Sequence, residues 1–582
     1  MYVRFPDDYR RARSSFIVLN GLAILCFALF SLTPPRLMSQ LGYVDTVAKD
    51  SMFGSWGTPL VSAANQHAAI PSLQLAWALW VSVVLAWLAR GLAVQIVSAV
   101  HVAVTFFVIV ATANHFAVDA IAAIPFVWAA VAVVDWRRSR PMPMSSADAF
   151  FLHVETDSAP QHVGGMVVLA RGGPGVPALD EIRALVRDEL LNMPRFRQRP
   201  EQSPIRRRWR WVEVDTRDMD WEWHVSERAA LPGSTDDDIE SASVALCRTV
   251  ADVATERMPR DRPMWRMVFV REITPGRTGF LFMVHHCVAD GIGTVAHALN
   301  ILRPRLDLPA DSRPPPGGIK KAVETVVGLA QLATDGRPEA RLPAGSPLRG
   351  FAAAGFDLDT VRSVARVQGA RVTDLVLSLL ATAVDRTHPE FAAAVGHRLR
   401  VSVPIMLREP GSAAEGNVTA AAMIDLPLAG MNANDRFVAI CKSSAGLRTP
   451  TRALASRFVM TDVLAVVPNP VARWFARAVY GPAFVQGIVS NMPGPTERMS
   501  IAGVPFERVV PILPLAPGAP LALGALSWSG VLAIGLTVDS RFLDADSLVA
   551  AMAEALRELV GDRSAAHRTG EMPGRHGRRF RS

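Results

Sequence analysis

The sequence predicts a multidomain protein, with an all-α transmembrane N-terminal region of four helices followed by a mixed α/β region in two halves. Half of the 582 residues are hydrophobic and only 20% are charged, and the mean hydropathy of +0.22 is too high for a wholly soluble chain of this length. The apolar excess is concentrated before residue 140, whereas beyond Pro143 short β-rich runs alternate with helical patterns. This distribution excludes a disordered or fibrous chain.

Four apolar runs make up the membrane region: 14–35, centred on Phe16 to Leu32, then Ile70 to Ala89, Gly91 to Asn114, and Phe116 to Val134. Each has about the length needed to cross a hydrocarbon core roughly 30 Å thick as a helix. Arg10, Arg11 and Arg13 before the first run would also suit a cleavable signal peptide. No small-residue cleavage site follows, however; the sequence reads Thr33-Pro34-Pro35-Arg36, and three more runs come after it. If every run spans, the N-terminal arginines, Arg90, and Arg137, Arg138 and Arg140 fall on one side, which the positive-inside rule makes cytoplasmic. The expectation is an integral protein of the plasma membrane, with both termini and everything after Arg140 in the cytoplasm. Cys26, Cys247, Cys287 and Cys441 form no C-x-x-C pair, so neither a disulfide framework nor a metal site is expected.

In the following region Met166 to Leu169, Trp265 to Val270 and Phe280 to Val284 read as strands, and Leu179 to Leu191 and Asp238 to Glu256 as helices. Arg303 to Gly318, with Pro304, Pro309 and Pro314-Pro315-Pro316, reads as a linker. The arginine-rich end, from Arg563 to Arg581, reads as a disordered tail. Arg206-Arg207-Arg208-Trp209-Arg210-Trp211 suits lipid headgroups or anionic phosphates, or else an exposed hairpin between strands.

The chemistry is concentrated where the strand Phe280 to Val284 runs into His285-His286-Cys287-Val288-Ala289-Asp290-Gly291. A histidine leaving a strand end is well placed to act as a base, a carboxylate four residues on can brace the turn or the ring, and Gly291 permits a tight backbone path. An isolated His-His pair would more often cap a strand as buried structure. The full H-H-x-x-x-D-G pattern after an apolar strand is far more specific.

This stretch resembles the acyl-transfer motif of the wax ester synthase/diacylglycerol acyltransferase family, within the CoA-dependent acyltransferase superfamily. Asp148-Ala149-Phe150-Phe151-Leu152 followed by His162-Val163-Gly164-Gly165 resembles the family's opening strand, Met193-Pro194-Arg195-Phe196-Arg197 its next turn, and Pro263-Met264-Trp265 its Pro-Leu-Trp motif. Val401-Ser402-Val403-Pro404, Gly416-Asn417 and Ser490-Asn491-Met492-Pro493-Gly494-Pro495 resemble its second-half signatures, and Thr373-Asp374 stands where the family has Asn-Asp. The likeness covers about residues 146 to 560. It implies an α/β acyltransferase fold of two subdomains, 146–303 and 346–560, joined by a linker over 304–345, with the membrane domain at 1–140 and the tail at 561–582.

The resemblance further implies that His286 takes the proton from an acceptor alcohol as its oxygen attacks the thioester of an acyl-CoA. Asp290 would hold the loop and His285 support the site. Gly291, Pro263, Trp265, Asp374, Asn491, Pro493 and Gly494 would serve as motif or structural positions. Cys287 is expected to point away, so no covalent nucleophile is required. The expected partners are acyl-CoA, a diacylglycerol or long-chain alcohol, and membrane lipid, with no cofactor and no nucleic acid.

The membrane runs carry a second resemblance. Ile70-Pro71-Ser72-Leu73-Gln74 and Asn114-His115-Phe116-Ala117-Val118-Asp119 resemble the second and third motifs of the type-2 phosphatidic acid phosphatase superfamily, in its inositolphosphotransferase-like branch, and Thr33-Pro34-Pro35-Arg36 matches that branch too. There a third-motif histidine attacks phosphorus, braced by a carboxylate, and a second-motif histidine protonates the leaving group. His115 and Asp119 take the first two positions, while Gln74, after Ser72, stands where the proton donor is expected. Glutamine cannot deliver a proton, and the upstream basic motif that would bind phosphate is not found, because the chain begins too late to include the first spans. The module therefore reads as degenerate. The leading reading is a membrane-anchored O-acyltransferase making triacylglycerol or wax ester; the alternatives are a bifunctional lipid phosphatase and acyltransferase, and a non-catalytic lipid-binding scaffold.

Overall fold

The computed structural model describes residues 6–30, 32–44, 69–89, 91–138, 141–171, 176–190, 193–204, 207–230, 238–289, 318–333, 336–343, 345–406, 417, 419–447, 450–495 and 497–569. They form two compact units, Met1–Pro141 and Met142–Ser582.

Among the described residues of the first unit there are four α-helices: α1 (Pro6–Leu29), α2 (Leu73–Leu88), α3 (Leu92–Ala111) and α4 (Ala117–Arg138). Three contain apolar stretches of spanning length, Arg11–Leu29, Leu92–Ala111 and Ala117–Trp136. The second apolar run falls short of the expected full span. Ser72 is extended, caps α2 by accepting from the Leu75 N–H at 3.4 Å, and so delays the helix until Leu73. At 16 residues α2 is only about 24 Å long. Leu19, Leu75, Ala76, Ile109, Ala120 and Val127 pack inside this unit, while Ile17, Phe107 and Trp128 are 63%, 70% and 73% exposed, so the helices are apolar all round.

Contacts sort the helix ends. The Arg11 guanidinium donates to both carboxylate oxygens of Asp135 at 2.8 and 2.5 Å and lies 3.8 Å from the ring centre of Trp87, so the start of α1 and the ends of α2 and α4 share one end of the bundle. At the other end the Arg36 N–H donates to the Ala113 carbonyl at 2.9 Å and the Ser72 N–H to the Asp119 carbonyl at 3.1 Å.

The second unit is built on two six-stranded sheets. The first runs, in neighbour order, Ser500–Ile501, Val504–Ile512, His162–Leu169, Arg277–His285, Trp265–Thr274 and Val225–Ala229. All its pairs are antiparallel except the last. Val504–Ile512 comes from the second half of the chain yet pairs with His162–Leu169, Val510 opposite Met166, so the halves are knitted together by main-chain bonds. The second sheet runs Thr419–Pro427, Arg398–Met406, Gly487–Pro493, Leu521–Trp528, Val531–Asp539 and Arg349–Asp357, with Gly487–Pro493 parallel to both of its neighbours. Each sheet has its own core, one around Trp265, Phe269 and Phe280 and one around Leu377, Leu523 and Ile534.

The strands expected over 166–169, 265–270 and 280–284 are present, as are helices at Leu179–Leu190 and Ile239–Val253 with Asp238 capping the latter. Asp148 to Leu152, expected as part of an opening strand, is instead helical. It lies in α5 (Ser146–Val154), where the Ser145 hydroxyl accepts the Asp148 N–H at 3.0 Å and fixes the helix start. The segment expected as a linker contains a helix, Gly318–Ala333, packed against Pro450–Phe458; residues 303–317 lie outside the described ones. Trp209–Glu213 forms a hairpin with Gln198–Gln202, and Trp211 is buried beneath the Arg195 guanidinium, 4.3 Å from its ring centre.

Candidate active site

The strand Arg277–His285 ends at the paired histidines, and the main chain there is held from three sides. The His285 N–H donates to the Met264 carbonyl at 2.9 Å, the His286 N–H to the Gln161 carbonyl at 2.7 Å, and the Val288 N–H to the His285 carbonyl at 2.9 Å. Pro263-Met264-Trp265 thus sets the height of the strand end, and Trp265 is fully buried with its indole N–H donating to the Phe196 carbonyl at 2.8 Å. Close packing of the neighbouring strand needs Gly164, since a Cβ there would lie 2.0 Å from the Phe282 carbonyl oxygen.

The two histidines have different surroundings. His285 is fully buried; its Nδ1 accepts the Cys287 N–H at 3.1 Å, which leaves the proton on Nε2, 3.2 Å from Glu155 Oε1. Glu155 also accepts from Arg257 at 3.0 Å and Arg260 at 2.7 Å. Burial alone would raise the Glu155 carboxyl, but His285 and Arg260 hold it well below the usual carboxylate range. Nearby His162 accepts the Met258 N–H at 3.4 Å and is pushed down to about 3, chiefly by burial. Both ring nitrogens of His285 are thus taken up, one by the turn's own main chain and one by Glu155.

His286 is held as a ring. Phe151 of α5 stacks on it with centroids 3.7 Å apart and planes 9° from parallel. Its Nδ1 lies 2.9 Å from Asn417 Oδ1, and the Asn417 amide nitrogen donates both to the His286 carbonyl at 2.8 Å and to Asp148 Oδ1 at 3.0 Å. Asp148, one turn before Phe151 on α5, is 2% exposed; burial raises its carboxyl, and the Arg195 charge opposes that rise. Cys287 is fully buried with its sulfur 3.9 Å from Met264 Sδ, and burial raises its thiol well above the ordinary value, so it presents no thiolate. Asp290 and Gly291 lie outside the described residues.

The second-half motif residues form another hydrogen-bonded group. The Asn491 amide donates to the Thr373 hydroxyl at 3.2 Å, so threonine in place of the family's asparagine still offers a partner. Asp374 accepts the Arg371 N–H at 3.0 Å and the Ser444 hydroxyl at 2.9 Å, tying a helix start to its neighbour. Pro493 ends the strand opposite Ser527, and the Gly494 N–H donates to the Ser527 carbonyl at 2.9 Å. Asn417, Asp148, Phe151 and Glu155 were not among the residues expected at the site. Asn417 is 131 residues from His286 in sequence, and no spacing rule links them.

In the first unit, His115 Nδ1 lies 3.6 Å from Asp119 Oδ2, and that carboxylate accepts the Phe116 N–H at 2.9 Å. Ser72 and Asp119 are buried, and Gln74 is exposed in the first turn of α2. Arg36 is buried, and its main-chain N–H is bonded to the Ala113 carbonyl, two residues before His115.

Residues 1–133 match the PAP2 superfamily, 144–336 the wax ester synthase/diacylglycerol acyltransferase catalytic domain, and 415–560 the WS/DGAT C-terminal domain. A putative diacylglycerol O-acyltransferase of Mycobacterium tuberculosis is 25% identical over 478 residues, covering 73% of this chain and 92% of the relative. A probable diacylglycerol O-acyltransferase of the same organism, tgs2, is 27% identical over 436 residues, covering 68% and 93%. The solved wax ester synthase/diacylglycerol acyltransferase from Marinobacter aquaeolei VT8 shares the fold at TM-score 0.51 and 22% identity, covering 73% of this chain and 100% of that one. With its catalytic and C-terminal domains following a PAP2 superfamily domain, the chain belongs to the wax ester synthase/diacylglycerol acyltransferase family and is an acyltransferase.

Proposed function

We propose that this acyltransferase is anchored in the membrane by its N-terminal helices and moves a long-chain acyl group from acyl-CoA to diacylglycerol or a long-chain alcohol, with His286 as general base. The observation that carries the reading is the environment of His286: a ring at a strand end, stacked on Phe151 and held at Nδ1 by Asn417, while the adjacent Cys287 is buried as a thiol. A neutral imidazole takes the proton from the acceptor hydroxyl as that oxygen adds to the thioester carbonyl. Collapse of the tetrahedral adduct breaks the C–S bond, and the proton on the imidazole passes to the departing CoA sulfur. The ester is formed without an acyl-enzyme.

Incubating the purified protein with labelled palmitoyl-CoA and a panel of diacylglycerols and long-chain alcohols tests this reading. Label in triacylglycerol or wax ester supports it, and label released only as free fatty acid contradicts it.

The membrane unit supports a second, subordinate reading. Arg36, His115, Asp119 and Ser72 converge while Gln74 replaces the proton donor, a combination suited to holding a phosphorylated lipid without turning it over. Activity of this unit as a lipid phosphatase would make the protein bifunctional.

A further inference from the structure

Asn417 presents both faces of its amide to the catalytic turn, and its surroundings allow only one orientation. Its nitrogen has two hydrogens, and it faces two groups that accept: the His286 carbonyl at 2.8 Å and Asp148 Oδ1 at 3.0 Å. The Asn417 main-chain N–H donates to the same Asp148 oxygen at 2.9 Å. Turning the amide over would set its oxygen against a carbonyl and a carboxyl oxygen and leave buried donors unmade, a cost of about 1–3 kcal/mol for each buried polar group so stranded. The amide oxygen therefore points at His286 Nδ1, 2.9 Å away, and an amide oxygen only accepts.

From this geometry we infer that Asn417 is the positioning residue that holds His286 in its Nδ1–H form, placing the basic lone pair on Nε2, and that Asp148 sets the direction of Asn417. The inference rests on the general-base reading of His286. Helix α5 supplies two constraints one turn apart, Asp148 acting through the asparagine and Phe151 on the ring face. Arg195, whose charge acts on Asp148, keeps that carboxyl from being a lone buried charge. Asn417 lies in the C-terminal domain and His286 in the catalytic domain, so one half of the fold carries the base and the other half decides which of its nitrogens reacts. The amide is neutral, so it orients the ring without adding a charge that would favour the imidazolium.

The test uses the full-length protein in lipid, labelled with ¹³C,¹⁵N-histidine. The resonance that disappears in His286→Ala belongs to His286, and magic-angle-spinning spectra read its tautomer directly. The Nδ1–H form is expected, against the preference of a free histidine side chain for the Nε2–H form; finding Nε2–H in the wild-type protein overturns the inference without relying on any variant's folding. In Asn417→Ala, kcat per acyl-CoA-binding site should fall at least about tenfold, because the wrong tautomer cannot accept the proton, while KM for acyl-CoA stays within about twofold. An unchanged kcat in that variant overturns the positioning role. Acyl transfer retained in His286→Ala overturns instead the general-base reading beneath it.

Discussion

The ring of Phe151 lies 3.7 Å from that of His286 and within 9° of parallel, so the imidazole is held on its flat face by an aromatic ring from α5 as well as at its edge by a hydrogen bond. A stacked ring restricts rotation about the last side-chain torsion, and proton transfer depends on that angle. In Phe151→Leu, which keeps most of the apolar volume, kcat should fall several-fold, with KM for acyl-CoA unchanged and a loss of stability of about 1–2 kcal/mol. Steady-state kinetics and thermal melts of the two proteins check this; a variant with wild-type kcat would show that the stack does not orient the base.

Stability should decline well above the pH at which carboxylates titrate. His162 is held down to about 3, and His153 and His224 to about 4, in each case first by burial. In the unfolded chain these groups bind protons near pH 6.5, so the unfolded state takes up protons that the folded state refuses as pH falls from about 6.5 toward 4. The lowered Glu155 carboxyl adds a further loss below about pH 4.5, where its unfolded counterpart protonates. Thermal midpoints measured from pH 8 to pH 4 should start to drop near 6.5. In His162→Gln, corrected for its own offset, the slope between pH 6.5 and 5 should be shallower. A flat profile down to pH 5 would contradict the burial of these rings.

How much of this could be read from the sequence differs from residue to residue. The strand ending at His285 and the buried Trp265 were legible because short apolar runs rich in β-branched and aromatic residues and the H-H-x-x-x-D-G pattern are local signals. The resemblance implied a strand over Asp148 to Leu152, whereas the capping Ser145 starts a helix there, α5, and only His162 onward is strand. The second apolar run near residue 70 has the composition of a span, but its helix begins only after the extended Ser72. Asn417 and Asp148 stand at motif positions, but their role depends on contacts across 131 and 269 residues, which no sequence spacing encodes.

The ends of the N-terminal helices, read as membrane spans, give a topological prediction. Arg11 meets Asp135 and Trp87 at one end of the bundle, while Arg36, Ser72, Ala113 and Asp119 meet at the other. With arginines clustered at the first end, that end should be cytoplasmic and the acyltransferase unit with it. External protease applied to intact cells should leave the acyltransferase unit whole and cut it only after permeabilisation. Trimming of that unit in intact cells would overturn the topology.

The phosphatase-like site should bind without turnover. Gln74 cannot protonate a leaving group, a contribution of about two to four powers of ten in rate, and it is exposed in the first turn of α2. Release of inorganic phosphate from phosphatidic acid and from polyprenyl phosphate should be negligible, and Gln74→His alone should not restore an ordinary rate. Robust release that is lost in His115→Ala would establish a working phosphatase and a bifunctional enzyme.

The central claim, that His286 is the base of acyl transfer, is tested most directly by the rate of ester formation from labelled palmitoyl-CoA in His286→Ala, compared with wild type at equal acyl-CoA-binding sites. The ring is one of many contacts at the strand end, and the main-chain bonds to Gln161 and Met264 do not need it, so the variant should fold and bind acyl-CoA. Ester formation should fall by at least about a hundredfold, the usual size of a general-base contribution. A variant that binds acyl-CoA and keeps more than about a tenth of the wild-type rate would contradict the assignment.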